Sequence, residues 1–237
     1  MWCENDKRDF LSTSGQITPE RPVGQLLIKT IKEETLRNIV DIGTWNGLGS
    51  TQCFLKGLDR NTSTEFISLE SNMEKNLLAK KNLAHYLEKT PNAQLYWGTI
   101  IDKTDIVDAE IVFPELAQNS EFKRWHAIDI VNIEQAPYIF RYIPEEIDFV
   151  LFDGGEFTTY YEFLKLFPRC KKYIALDDVN CSKCKKIREI LIANPDWNEV
   201  AYIPERNGFS LFIRGTHGHQ NPACGIPDPL TPPFHSL

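Results

Sequence analysis

The segment Ile39-Val40-Asp41-Ile42-Gly43 constrains the fold more than any other part of the chain. It is short, mostly apolar and β-branched, and it stops at a glycine. A run of this length without polar alternation suits a strand buried on both faces, as in a parallel sheet covered by helices. Helical periodicities flank it on both sides. Residues 20–38 place Val23, Leu26, Leu27, Thr30 and Ile31 at helical spacing, and residues 50–58 read as the next helix, ending near Gly57.

The same change of period recurs along the chain. Residues 66–70 read as a strand, Ser71 and Asn72 as caps for a helix over 73–89, and 93–97 as a third strand after Pro91. Residues 101–146 are the least regular, with Pro114, Pro137 and Pro144 and the aromatic cluster Phe122, Trp125, His126, Tyr138, Phe140 and Tyr142. This stretch reads as a helix with an extended insertion. Strands at 147–152 and 172–176 then alternate with helices at 158–166 and 181–193, the last stopped by Asn194-Pro195. Residues 200–203 and 209–214 form a closing hairpin around Glu205-Arg206-Asn207-Gly208. The expectation is an α/β fold: a doubly wound, mostly parallel seven-stranded sheet with a C-terminal antiparallel hairpin, over residues 20–214. Residues 1–19 read as a leader, and 215–237, rich in proline and polar residues, as a disordered tail whose His217 and His219 are solvated.

Composition removes several functional classes. With 26 basic and 33 acidic residues the formal charge is −7, which disfavours a phosphate backbone as partner. No apolar run approaches the roughly 18 residues of a membrane span. The charged N-terminus lacks the apolar core of a secretory signal, so the expected location is cytoplasmic. Six cysteines show no framework spacing and are expected as free thiols. Cys181 and Cys184 form a CxxC, but no second pair completes a zinc site. A homo-oligomer is compatible with all of it.

In an open α/β sheet, ligands collect beyond the carboxyl ends of the strands, where strand order reverses. The residues expected there are Asp41-Ile42-Gly43-Thr44-Trp45-Asn46-Gly47-Leu48-Gly49-Ser50-Thr51. Glycines let the backbone turn sharply and approach a ligand closely, and the following helix offers unpaired N–H groups. The spacing D-x-G-x-x-x-G is not that of a dinucleotide fingerprint, and no Gly-Lys-Ser/Thr follows to make a P-loop. Glu70 ends the second strand, where an acid can accept hydrogen bonds from a ribose diol. A glycine loop joined to such an acid resembles the class I S-adenosylmethionine (SAM)-dependent methyltransferases, over roughly residues 20–214. The resemblance implies SAM as cofactor, with Asp41, Gly43, Thr44, Gly47, Ser50 and Glu70 around it.

Two later strands also deliver acids. Ile147-Asp148-Phe149-Val150-Leu151-Phe152 leads to Asp153, and Tyr173-Ile174-Ala175-Leu176 leads to Asp177 and Asp178. If these strands are neighbours, three carboxylates converge and need a proton or a cation between them. Oxygen ligands without histidine or cysteine favour Mg²⁺ or Mn²⁺. Each aspartate alone has a plainer reading as a helix cap or turn residue. The pattern resembles metal-dependent small-molecule O-methyltransferases. GTWNGLGST, DGGEFTTYYEF and LDDVN are most similar to sugar-directed members, such as macrocin-type enzymes and the methyltransferase domains of large-virus glycan-building enzymes. The expected function is therefore O-methylation of a sugar or glycan hydroxyl, with Asp153, Asp177 and Asp178 on the metal. Glu156 is the first candidate base and His126 the reserve. Many relatives carry histidine where this chain has Glu156, so no base is carried over from them. Trp125, Tyr138 and Tyr142 are candidates for a platform under a sugar face. The competing readings are a catechol- or phenol-directed O-methyltransferase and a non-catalytic SAM-binding module. An N-methyltransferase would leave the acidic triad unexplained.

Overall fold

The computed structural model describes residues 17–59, 61, 63–106 and 109–215. The readings for residues 1–16 and 216–237, including Cys3, Cys224, His217 and His219, lie outside the described residues. Ile17, within the stretch read as a leader, is 2% exposed and packs into the core.

Seven strands form one sheet: β1 (Asn38–Ile42), β2 (Glu65–Glu70), β3 (Ala93–Trp97), β4 (Ile147–Phe152), β5 (Cys170–Asp177), β6 (Trp197–Ile203) and β7 (Phe209–Arg214). Their order is β3-β2-β1-β4-β5-β7-β6. The pairs β3·β2, β2·β1, β1·β4 and β4·β5 are parallel, whereas β7 inserts between β5 and β6 and runs against both. This is the expected doubly wound sheet with its closing hairpin. Strand order reverses between β1 and β4, so the helices leaving those two strands depart to opposite faces and open a crevice.

The helices divide accordingly. On one face α1 (Pro22–Glu33), α2 (Ser50–Gly57) and α3 (Met73–Leu87) pack Leu27, Ile31, Phe54, Ala79 and Leu83 against Ile39, Phe66, Phe149 and Ala175. Phe54 is fully buried, 5.4 Å from the ring of Phe66 and 5.4 Å from that of Phe149. The other face receives Val40, Ile67, Val150 and Ile174 from the strands. Alternate residues of each strand thus serve opposite cores, as the pleat requires.

Helix α1 is shorter than the spacing over 20–38 suggests. Pro22 starts it at the first turn, where a missing N–H costs nothing. It ends at Glu33 because Leu36 turns into the core and Asn38 already belongs to the sheet.

The irregular region is more helical than expected. It holds α4 (Ala109–Val112), α5 (Glu115–Gln118) and the long α6 (Ser120–Gln135). Asn119 caps α6 by accepting from the N–H groups of Glu121 and Phe122. Phe122 and Phe113 bring their rings 5.4 Å and 5.3 Å from that of Phe157. This segment therefore walls the crevice beside α7 (Thr159–Leu166) and α8 (Ser182–Ala193).

Candidate active site

The loop after β1 is built around two glycines that no other residue replaces cheaply. Gly43 has φ +102°, and a Cβ there would lie 2.1 Å from the carbonyl oxygen of Asp153. Gly47 has φ +82°, and its Cβ would meet Leu83 at 2.6 Å. Both values lie where side chains are disfavoured. The N–H groups of Gly43 and Thr44 donate to the carbonyl of Leu69, tying the loop to β2.

Glu70 is 8% exposed and works on that loop. Its Oε2 accepts from the N–H of Trp45 at 2.8 Å and its Oε1 from the N–H of Asn72 at 2.9 Å. Burial pushes its carboxyl up from the usual range, against the Lys75 ammonium and the two backbone donors. Lys75 Nζ lies 3.5 Å from the centre of the Trp45 ring, a cation–π contact at the rim.

Asp41 lies underneath the loop. Its carboxylate is fully buried and accepts from the hydroxyls of Thr51 at 2.6 Å, Ser68 at 2.8 Å and Ser50 at 3.2 Å. Burial raises it to about 7, with those three hydroxyls opposing. Asp41 and Ser50 thus fasten the start of α2 to β1, while Thr44 bonds Ser68 at 2.6 Å. Of the six residues expected at the cofactor, Gly43 and Glu70 line the cleft; Asp41, Thr44, Gly47 and Ser50 support it from below.

The strand-end acids converge as expected. Oxygens of Asp153, Asp177 and Asp178 lie within 4.8 Å of one another. A residue that sequence reasoning missed sits among them. Lys183 Nζ is 2.9 Å from Asp153 Oδ1 and 2.7 Å from Asp178 Oδ2, and its side chain is only 11% exposed. Arg206 adds a longer contact, 3.6 Å from Asp178 Oδ1. Burial opposes charge on Asp153, Asp177, Asp178 and Lys183. Asp177 is pushed well up by burial and then by the neighbouring Asp153 and Asp178. Burial also acts on Asp178, but Lys183 and Arg206 outweigh it and hold that carboxyl low. Lys183 keeps its proton because Asp153 and Asp178 more than offset its own burial. Asp178 has φ +57°, an uncommon backbone state that aspartate tolerates, at the strand-to-helix turn.

Glu156 stands beside this cluster, its Oε1 accepting the backbone N–H of Lys183 at 3.2 Å at the start of α8. His126 is on α6 with its ring 6.2 Å from that of Phe157; its Nε2 is buried without a hydrogen-bond partner, and burial lowers its basicity. It does not line the cleft. Tyr138 and Tyr142 are exposed away from the cleft, and only Trp125 of the expected platform faces it.

Two further acids escaped the sequence reading. Glu162 on α7 rises to about 8 and Asp129 on α6 to about 7, each chiefly through burial. Glu162 Oε2 is buried without a partner, and both residues line the cleft. An acid inside the otherwise aromatic run YYEF was the available signal for Glu162. For Lys183 the signal was a lysine in the first turn of a helix, where the dipole disfavours a cation unless acids stand opposite.

The cleft these groups enclose measures about 1340 Å³ and runs from Gly43 and Glu70 across Asp153 to Asp178. Its parts fit SAM: a loop that only glycine permits, an acid at the end of β2, and carboxylates suited to a cationic ligand. A divalent ion is a different matter. Asp153, Asp177 and Asp178 have the donor chemistry for Mg²⁺ or Mn²⁺. Lys183, however, already holds two of the three carboxylates, so the residues do not accommodate a divalent ion and this ammonium together.

No family model matches the chain, and no curated protein matches it. Solved structures do. An O-methyltransferase from Bacillus cereus in complex with S-adenosylhomocysteine (SAH) has a TM-score of 0.55 at 16% identity, covering 86% of this chain and 84% of that one. The SAH-bound Podospora anserina methyltransferase PaMTH1 scores 0.53 at 14% identity, with 81% and 77% covered. The O-methyltransferase TomG from Streptomyces achromogenes, involved in tomaymycin synthesis and in complex with SAM, scores 0.50 at 15% identity, with 81% and 79% covered. At such identities likeness establishes architecture, and the chain has the fold of SAM-dependent O-methyltransferases.

Proposed function

We propose that the chain is a SAM-dependent O-methyltransferase acting on a hydroxyl of a sugar or glycan. The observation that carries this reading is the convergence, in one cleft at the reversal of strand order, of the Gly43 loop, Glu70 and the acids ending β4 and β5. SAM supplies a methyl group on a sulfonium centre. The chain's part is to hold the acceptor oxygen in line with it, receive the hydroxyl proton and keep water out. Glu156 is the proposed proton acceptor, since it stands at the mouth of the acidic cluster while His126 faces Phe157 instead. The wall supplied by α6 and its cap sets Asn119, Arg124, Asp129 and Asn132 among Phe122, Trp125, Ile128 and Ile133. Amide and guanidinium donors around an aromatic face suit a polyol better than the apolar slot a phenol would need.

The test is transfer of labelled methyl from SAM to a panel of sugars and phenols by the purified chain. Label on a saccharide supports the reading. Label confined to phenols would move the acceptor to the catechol class, and SAM binding without transfer to any acceptor would favour a non-catalytic module.

A further inference from the structure

The acid cluster at the ends of β4 and β5 already contains a cation. Lys183 is the second residue of α8, and the first turn of that helix carries no acid of its own. A lysine there is disfavoured by the helix dipole, and its burial adds a desolvation cost. The helix does not account for its position. The carboxylates do: its Nζ sits 2.9 Å from Asp153 and 2.7 Å from Asp178, with side chains 11%, 22% and 8% exposed respectively. Those distances are of charge-assisted hydrogen bonds, and the two acceptors directly follow different strands, β4 and β5. One ammonium thus bridges the two loops that a shared metal ion would bridge. Arg206, in the turn between β6 and β7, stands 3.6 Å from the other carboxylate oxygen of Asp178. Three carboxylates therefore face two fixed cations supplied by the chain itself.

We propose that Lys183 is the resident cation of this site, taking the place of a divalent metal between Asp153 and Asp178, so that the chain works without one. Its role in catalysis rests on the methyl-transfer reading, in which the ammonium donates a hydrogen bond to the acceptor oxygen and keeps its own proton. Its occupation of the cation position does not depend on that reading.

The direct probe is Mn²⁺ alone, its uptake by the full chain followed by the loss of the free-ion electron paramagnetic resonance signal. Wild type is expected to leave that signal unchanged into the millimolar range. Lys183→Ala vacates the position and is expected to bind one equivalent at least about tenfold more tightly than wild type, a change of about 1.4 kcal/mol. Adding Asp178→Asn to that variant should remove the gain. Circular dichroism and quenching of tryptophan fluorescence by SAM report whether each variant is folded. Stoichiometric uptake of Mn²⁺ by wild type at micromolar concentration would overturn the proposal; so would a folded Lys183→Ala variant with no gain. The wild-type arm needs no variant and stays decisive if Lys183→Ala does not fold. In the methylation assay, transfer that survives EDTA agrees with Lys183 as the cation, and transfer abolished by EDTA and restored by Mn²⁺ refutes it. Absence of transfer to every acceptor counts against the methyltransferase reading and leaves the Mn²⁺ result intact.

Discussion

Replacing Gly43 by alanine adds one carbon where the structure has no room and no conformational freedom for it. The backbone sits at φ +102°, where a side chain costs about 1–2 kcal/mol. The new Cβ would lie 2.1 Å from the carbonyl oxygen of Asp153 and 2.6 Å from its carbonyl carbon. Both are backbone atoms, so no rotamer change relieves the contact. Either the loop after β1 or the start of the loop after β4 must move by about 1 Å, at the 1–3 kcal/mol usual for overpacking. That movement strains two hydrogen bonds of 3.0 Å, from Gly43 N–H to Leu69 and from Asp153 N–H to Ile42. The sum is a loss of about 2–5 kcal/mol, a large part of the roughly 5–15 kcal/mol that holds a domain together. Urea unfolding followed by circular dichroism is the assay. With a slope of about 2–3 kcal/mol per molar for a domain of this size, the midpoint should fall by about 1–2 M with the slope unchanged. SAM affinity, measured on the folded fraction, should fall as well, because either movement displaces a wall of the cleft, at Gly43 or at Asp153. A midpoint shift worth less than about 0.5 kcal/mol, the scatter of neutral substitutions, would refute the reasoning.

Other perturbations test separate parts of the structure. Glu70→Gln keeps one acceptor oxygen but turns an amide group toward the N–H of Trp45 or Asn72. Losing a charge-assisted bond worth about 1.5–3 kcal/mol is expected to weaken SAM binding about 10- to 100-fold by titration calorimetry, and unchanged affinity would remove Glu70 from the cofactor site. Burial carries the Glu162 carboxyl from 4.5 to about 8, so the folded chain keeps a proton that the unfolded chain releases. Stability is thus expected to fall as pH rises between those values. Glu162→Gln should remove that slope and stabilise the chain at pH 8, relative to pH 5, by up to about 4 kcal/mol; equal urea midpoint shifts at both pH values would contradict it. Phe54→Ala empties a fully buried position between Phe66 and Phe149 and is expected to cost about 3–5 kcal/mol, read from the same unfolding curves without any specific loss of SAM affinity in the folded fraction.

Much of this was determined by the sequence alone, because the signals are local. Apolar runs ending at Ile42, Glu70 and Phe152, separated by helical periodicity, specify parallel strands whose carboxyl ends all point one way. Residues at or just past the ends of these strands and of β5, namely Gly43, Glu70, Asp153, Asp177 and Asp178, must then gather along one edge of the sheet. The closing hairpin was legible too, because its two strands are adjacent in the chain. What depends on packing was not legible. The periodicity of α6 does not say which side meets the sheet, so His126 facing Phe157 and Asp129 facing the cleft were decided by tertiary contacts. Asp41 was read as a cofactor ligand, yet the pleat turns it to the hydroxyls of Ser50, Thr51 and Ser68 beneath the loop. Lys183 shows the limit most clearly. Its residue type and helix position are visible in the sequence, but a long flexible side chain has no preferred partner until β4 and β5 bring Asp153 and Asp178 together. Only then is the energy of two buried ion pairs available to hold the ammonium there.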